Sequence, residues 1–127
     1  MDICIALAIS STLLLRVPGP LTLAWQHSVE HFAIEEDWLA TPEGMRLTQV
    51  RTEGLGAGVD LPDAAQRFGR GWRFEPALPP QPRVLLANSG HAAGYSLCRN
   101  GECKPLAALV GHAGEVLALS PCAESAE

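Results

Sequence analysis

Residues 21–38 read LTLAWQHSVEHFAIEEDW, and the first seven of them decide the fold class. Leu21, Leu23, Trp25 and His27 alternate with smaller or polar side chains, so they share one face of an extended chain. A period of two residues is typical of a β-strand that packs one face against a core. We therefore predict a half-buried strand at the start of this stretch and a β-sheet fold around it.

Short apolar runs bounded by turn residues recur on both sides of this strand, at the spacing of roughly 8–12 residues typical of sandwiches and barrels. Glycine and proline supply 12 and 10 of the 127 residues and only 18% are charged, which favours short strands over helices. We predict one all-β domain over residues 1–127, an antiparallel sandwich or barrel of about 8–10 short strands with at most one or two helical turns. Residues 123–127 form a polar tail.

The amino-terminal apolar run is interpreted as two strands, residues 3–9 and 12–17, joined by a tight turn at Ser10 and Ser11. A secretory signal is the competing interpretation, but Asp2 stands where a basic region is expected and no good cleavage site follows. The run is also too short to span a bilayer. We predict no membrane span and see no convincing export signal.

Weaker patterns predict the remaining elements. Residues 45–53 form a weakly patterned, exposed strand, and residues 62–68 are compatible with one helical turn. The apolar run at residues 83–87 is typical of a central strand. Residues 106–110 are expected to coil briefly before a last strand at residues 114–119.

The best local prediction is a hairpin around Asn100 and Gly101, the preferred pair for a two-residue type I′ turn. With that turn Cys98 lies directly opposite Cys103, in a non-hydrogen-bonded pair whose Cα atoms are close enough for a disulfide. We predict this disulfide. It implies an oxidising compartment, in conflict with the absence of a visible signal.

The other two cysteines leave alternatives open. Cys122 can instead pair with either hairpin cysteine, and Cys4 is most simply a small buried hydrophobic residue. The four positions do not show the paired C-x₂₋₄-C spacing of a zinc site, so no metal is predicted.

The net charge and the sequence of the glycine-rich loop argue against nucleic acid, anionic membranes and phosphate-containing cofactors as partners. The net charge is −5 and Lys104 is the single lysine, which leaves no basic surface for nucleic acid and disfavours an anionic membrane. Gly54, Gly56 and Gly58 lie in a loop without the lysine, or the following helix, of a phosphate-binding motif. We interpret it as a structural loop and predict no cofactor.

One carboxylate in the central stretch is expected on the core side. In the strand predicted over residues 33–40, Ile34, Glu36 and Trp38 share the apolar face, whereas Glu35 and Asp37 point to the other face. A core-facing carboxylate is costly unless it is paired or protonated. Glu36 therefore needs a partner.

His27 is the predicted partner. If the chain turns at residues 30–31, Trp25 lies opposite Glu36 and His27 opposite Ile34, so that His27 and Glu36 become diagonal neighbours. The pair is compatible with a structural contact, a ligand or metal pocket, or a general base, and the structural interpretation is favoured. No catalytic residue is assigned.

The candidate pocket residues are His27, Ser28, Glu30, Glu36, Arg51, Trp25 and Trp38. Arg51 is able to neutralise Glu36.

The succession LTLAWQHSVEHFAIEEDW, GLGAGVDLP, GWRF, ANSG and CRNGECKPLAAL resembles the bacterial domain of unknown function 1850 family. The shared motif falls on Trp25, His27, Ser28, Val29, Glu30, Glu36, Trp38, Gly54, Gly56, Ala57 and Gly58. The resemblance implies an extracytoplasmic accessory role beside TAXI-type TRAP transporters of small organic acids. The implied partners are the membrane subunit of such a transporter or its solute-binding protein.

Two hypotheses follow. The first is a non-enzymatic accessory or binding domain, which an electropositive solute pocket or an exposed apolar patch would favour. The alternative is a metal-dependent or His/Glu-based small-molecule enzyme with a pocket near His27. Convergence of His27 and Glu36 with another histidine on an open cavity would favour that alternative.

Overall fold

The computed structural model describes residues 1–26, 33–53, 65–69, 71–87, 94–111 and 115–123. Within them the chain forms eleven strands and one short helix, arranged as two antiparallel sheets that do not close into a barrel. The prediction of an all-β sandwich is confirmed. No helix in the described ranges is long and apolar enough to cross a membrane.

The smaller sheet has four strands and joins the two ends of the chain. Its order is β2 (Leu13–Pro18), β1 (Asp2–Leu7), β11 (Val116–Pro121) and β8 (Val84–Ala87). The larger sheet has seven strands. Its order is β10 (Glu102–Pro105), β9 (Ser96–Arg99), β3 (Leu21–Gln26), β4 (Ala33–Thr41), β5 (Gly44–Thr52), β7 (Gly71–Phe74) and β6 (Gln66–Phe68). Helix α1 (Leu106–Val110) follows β10.

The core lies between the facing sides of the two sheets. Alternate residues of each strand point inward, so Ile3 and Ile5 of β1 meet Leu117 and Leu119 of β11 in one layer, all of them fully buried. Leu23 in the facing sheet is fully buried as well. The same alternation predicted β3 and β4 from the sequence, whereas β1 was predicted from an apolar run.

The amino-terminal hairpin is confirmed, since β1 and β2 pair antiparallel. Their turn places Ser11 at a φ of 60°. The short helix at residues 106–110 and the last strand are also present. Strand β11 lies between β1 and β8, in the middle of the smaller sheet.

Strand β5 is not the exposed strand that its weak pattern predicted. It lies between β4 and β7, and Met45, Val50 and Thr52 are buried. A bulge explains the pattern: Leu47 pairs with Trp38 but Gln49 pairs with its neighbour Asp37. The extra residue switches the buried face from odd to even positions, so no single alternation runs through the strand.

Two further predictions were wrong. Strand β8 was expected in the centre of a sheet, but among the described strands it is bonded only to β11 and lies at an edge. Gln66–Phe68 forms an edge strand paired with β7 rather than part of a helical turn, because the chain reverses at Gly69, whose φ is 58°. Residues 62–64 lie outside the described ranges.

The hairpin disulfide is confirmed. Cys98 lies opposite Cys103 and is bonded to it, next to a turn in which Asn100 and Gly101 have φ values of 52° and 82°. Both values are positive, as a type I′ turn requires.

The remaining cysteines also form a disulfide, between Cys4 on β1 and Cys122 after β11. The interpretation of Cys4 as an unbonded hydrophobic residue was therefore wrong, and so was the alternative that paired Cys122 with the hairpin. The two cysteines are 118 positions apart and meet only because β1 pairs with β11.

Candidate functional site

The register of β3 and β4 differs by two residues from the one assumed. Trp25 pairs with Ile34, and Leu23 lies opposite Glu36. The predicted contact between His27 and Glu36 depended on Trp25 lying opposite Glu36, so its geometric basis is lost. His27 itself, together with Ser28, Glu30, Gly54, Gly56 and Gly58, lies outside the described residues.

Glu36 does face the core, as predicted. It shares the inner face with Ile34 and Trp38, which are 8% and 4% exposed. The indole N–H of Trp38 donates to Oε1 of Glu36 across 3.4 Å. Burial raises the pKa of Glu36, and the Trp38 hydrogen bond opposes that rise. The carboxyl group of Glu36 therefore keeps its proton at pH values at which an exposed glutamate has already lost it.

Two further aromatic residues, Trp25 and Tyr95, pair with each other near this carboxyl group. The rings of Trp25 and Tyr95 lie 5.2 Å apart, tilted by 56°. Burial raises the pKa of Tyr95, and the nearby Glu36 charge raises it further. We call Trp25, Glu36, Trp38 and Tyr95 the carboxyl–aromatic cluster.

Tyr95 was not predicted from the sequence. It comes close to Trp25 because β9 pairs with β3, Ser96 lying opposite Ala24. That pairing joins segments about seventy residues apart in the chain, and no local motif marks it. A partly buried carboxyl group among aromatic rings can donate a hydrogen bond when protonated or hold a cationic group when ionised.

Arg51 does not neutralise Glu36. Its guanidinium group forms two hydrogen bonds of 2.8 Å to the carboxylate of Asp37, and its Nε lies 3.7 Å from Glu35. Thr22 donates to Asp37 across 2.7 Å. The hydrogen bond from Arg51 lowers the pKa of Asp37, with support from Thr22. Arg51 lies opposite Glu35, so its side chain is on the outer face.

Thr22, Glu35 and Asp37 help to line a depression of about 660 Å³ on the outer face of the larger sheet, beside the Cys98–Cys103 hairpin. The carboxylate of Asp37 in this depression is already paired, because Arg51 and Thr22 both donate hydrogen bonds to it. The network therefore has a structural explanation in the pairing of its own groups.

The outer face of the smaller sheet has a different character. Leu85, Ala118, Ala6 and Leu13 pair in turn across its four strands and form an uncharged row, which we call the apolar row. Leu85 and Leu13, at the two ends, are 54% and 56% exposed, and the small alanines lie between them. Val116 beside Ala118 is 47% exposed. Ala118 is only 7% exposed, so the solvent-exposed apolar area of the row is mainly that of Leu85 and Leu13, with Val116 beside it.

The described residues contain no group of three or more His, Cys, Asp or Glu side chains placed to hold a metal ion. In the same residues, no buried polar side-chain atom lacks a hydrogen-bond partner.

Fold and sites together define the class: a β-sandwich domain with two disulfides, an internal carboxyl–aromatic cluster and an exposed apolar row. The chain belongs to the family described as Domain of unknown function (DUF1850), whose model matches residues 21–106. The match contains every strand of the larger sheet and β8, whereas β1, β2 and β11 lie outside it. Comparison with curated proteins and with solved structures gave no match.

Proposed function

We propose that this chain is a non-enzymatic accessory domain that binds a protein of a TAXI-type TRAP transport system outside the cytoplasm. The observation that carries the proposal is the apolar row. Exposed apolar surface of this kind is typical of protein-binding faces, since its burial in a complex removes it from water.

The surroundings of the row support a protein partner. On the same face, Arg16 and Asp2 form an ion pair of 2.8 Å, so polar groups border the apolar centre. An apolar centre with a polar rim is the usual composition of a protein interface. The partner surface is expected to be apolar at its centre, on either the membrane subunit or the solute-binding protein.

The two disulfides support a location outside the cytoplasm. Disulfides form and persist in oxidising environments, and all four cysteines of the chain are bonded in pairs. A domain of this kind is suited to the extracytoplasmic side of a membrane, where the partner would expose its surface.

The enzyme alternative has less support. It depended on His27 beside Glu36, in a register that β3 and β4 do not adopt. Glu36 instead has Trp38 as its hydrogen-bond donor and is largely buried, an arrangement that accommodates a protonated carboxyl group within a core.

Binding measurements with charged variants test the proposal. Leu85→Glu and Val116→Glu place a charge in or beside the apolar row, and each is expected to weaken binding to the transporter protein at least tenfold. Leu78→Glu is the matched control, because Leu78 is 51% exposed but lies in the connection between β7 and β8. Biolayer interferometry against the purified membrane subunit and the solute-binding protein distinguishes the two partners.

Circular dichroism must show that the variants remain folded. The proposal is wrong if neither protein binds the wild-type chain, or if the control variant weakens binding as much as the two row variants do. Periplasmic extraction of cells that express the full gene product tests the compartment separately.

A further inference from the structure

The two sheets leave a groove along one side of the sandwich. Strand β10 is an edge of the larger sheet and β2 an edge of the smaller one, and both contact α1. The groove lies between the β9–β10 hairpin and β2, with α1 beside it, and has a volume of about 410 Å³. Pockets for small ligands usually have volumes of about 300–1,000 Å³.

The floor of the groove is aliphatic. Leu15 and Val17 of β2, Leu97 of β9 and Leu109 of α1 line it, and all four belong to or pack against the hydrophobic core. A floor built on the core is held in place by packing on its other side. It therefore offers a preformed apolar surface to a ligand chain.

The rim of the groove is charged. Arg99 lies opposite Glu102, and Lys104 lies opposite Leu97, so these charged side chains project from the same face of the hairpin as Leu97. All three charged residues line the groove. Within the described part of the chain, neither Arg99 nor Lys104 forms an ion pair. A net positive charge thus borders an apolar floor in a chain of net charge −5.

We propose that this groove binds a single aliphatic chain with an anionic head group, of which a medium-chain carboxylate is the simplest example. The chain lies on Leu15, Val17 and Leu109, and the carboxylate is held by Arg99 and Lys104. Guanidinium groups form paired, charge-assisted hydrogen bonds with carboxylates. Glu102 opposes the anion and limits its affinity.

The hairpin disulfide contributes to this site. Cys98 and Cys103 lie on the opposite face of the hairpin from Arg99 and Lys104, because they alternate with them along β9 and β10. The disulfide holds the two strands together without occupying the groove. It therefore fixes the spacing of the two cations.

Calorimetry with octanoate, below the concentration at which it forms micelles, tests the proposal on the intact chain. Hexanoate is expected to bind about fifteenfold more weakly, since each buried methylene contributes about a fourfold change. Octanol, which lacks the charge, is expected to bind at least tenfold more weakly than octanoate. Octyl phosphate separates a preference for carboxylates from one for phosphate head groups.

Charge variants locate the head group. Arg99→Gln and Lys104→Gln are each expected to weaken octanoate binding about tenfold, and Glu102→Gln to strengthen it. Arg83→Gln is the matched control, because Arg83 is exposed and outside the groove. Methyl shifts of Leu15, Val17 and Leu109 in NMR spectra report whether the chain occupies the floor.

The inference is overturned if octanoate fails to bind at millimolar concentration, or if the control variant weakens binding as much as Arg99→Gln. It is equally overturned if octanoate changes the methyl shifts of other residues and leaves those of Leu15, Val17 and Leu109 unchanged. The groove lies between the two sheets, whereas the apolar row lies on the outer face of the smaller sheet. The groove variants should therefore leave partner binding unchanged. Either proposal can therefore fail without the other.

Discussion

Two adjacent carboxyl groups show how the face of a strand decides the chemistry of a side chain. Glu36 points into the core, where burial raises its pKa. Asp37 points outward to Arg51, whose hydrogen bonds lower its pKa. The two residues are neighbours in sequence, and the alternation of a β-strand separates their environments. Burial disfavours ionisation at both residues, but at Asp37 the hydrogen bonds from Arg51 and Thr22 outweigh it, whereas at Glu36 burial prevails.

Glu36 should therefore affect the pH dependence of stability. Its raised pKa means that the folded chain holds this proton more tightly than the unfolded chain does. Its contribution is complete below the ordinary value of 4.5 and is lost as the pH rises through the raised pKa. Glu36→Gln removes this loss, so we expect a higher Tm than wild type at pH 8 and a smaller difference at pH 4.

The measurement is thermal unfolding followed by circular dichroism from pH 4 to pH 8. Glu43→Gln is the control, because Glu43 is exposed in the turn between β4 and β5. If the control changes the pH profile as much as Glu36→Gln does, burial of Glu36 is not the cause. Asp37 titrates below its ordinary value of 3.8, outside this range.

At the scale of elements, close contacts between strands constrain the larger sheet. The bulge in β5 brings Thr52 inward, opposite Trp72 of β7. Gly71, at the start of β7, lies against the backbone of Thr52, so that an added Cβ would overlap the Thr52 carbonyl oxygen. The close approach of β5 and β7 thus depends on a glycine at this position.

Gly71→Ala is expected to destabilise the fold by about 2–3 kcal/mol, because the strands must separate to admit the methyl group. Gly94→Ala is the control, since a Cβ there meets no atom of the described residues within 4 Å, and it should change stability by less than about 0.5 kcal/mol. Urea denaturation measures both values. Equal stabilities of the two variants would contradict the close contact.

At the scale of the whole molecule, the ends of the chain complete the fold. Strands β1, β2 and β11 make up most of the smaller sheet, and β11 places Leu117 and Leu119 in the core. The Cys4–Cys122 disulfide fastens these two ends across 118 positions, whereas Cys98–Cys103 spans only 5. A longer loop loses more freedom in the unfolded state when it is closed.

The two disulfides should therefore differ in their effect on stability. On loop-closure entropy, Cys4→Ser with Cys122→Ser is expected to cost about 5 kcal/mol and Cys98→Ser with Cys103→Ser about 2 kcal/mol. Each double variant is the control for the other, and denaturation in guanidinium chloride measures both. Equal losses, or a larger loss from the hairpin variant, would contradict this account.

The sequence by itself determined the features that depend on neighbours in the chain. Alternation predicted the strands and the core-facing position of Glu36, and Asn100 and Gly101 predicted the hairpin and its disulfide. Their physical basis is local: the two-residue period of a strand and the positive φ of a turn.

Only the tertiary structure decided which distant segments meet. It paired Cys4 with Cys122, brought Tyr95 to Trp25 and turned Arg51 toward Asp37 rather than Glu36. It also shifted the register of β3 on β4 and assembled the apolar row and the groove from separate strands. The reason is that strand pairing, register and bulges are set by packing across the whole sandwich, and a period of two residues carries no information about which strands become neighbours.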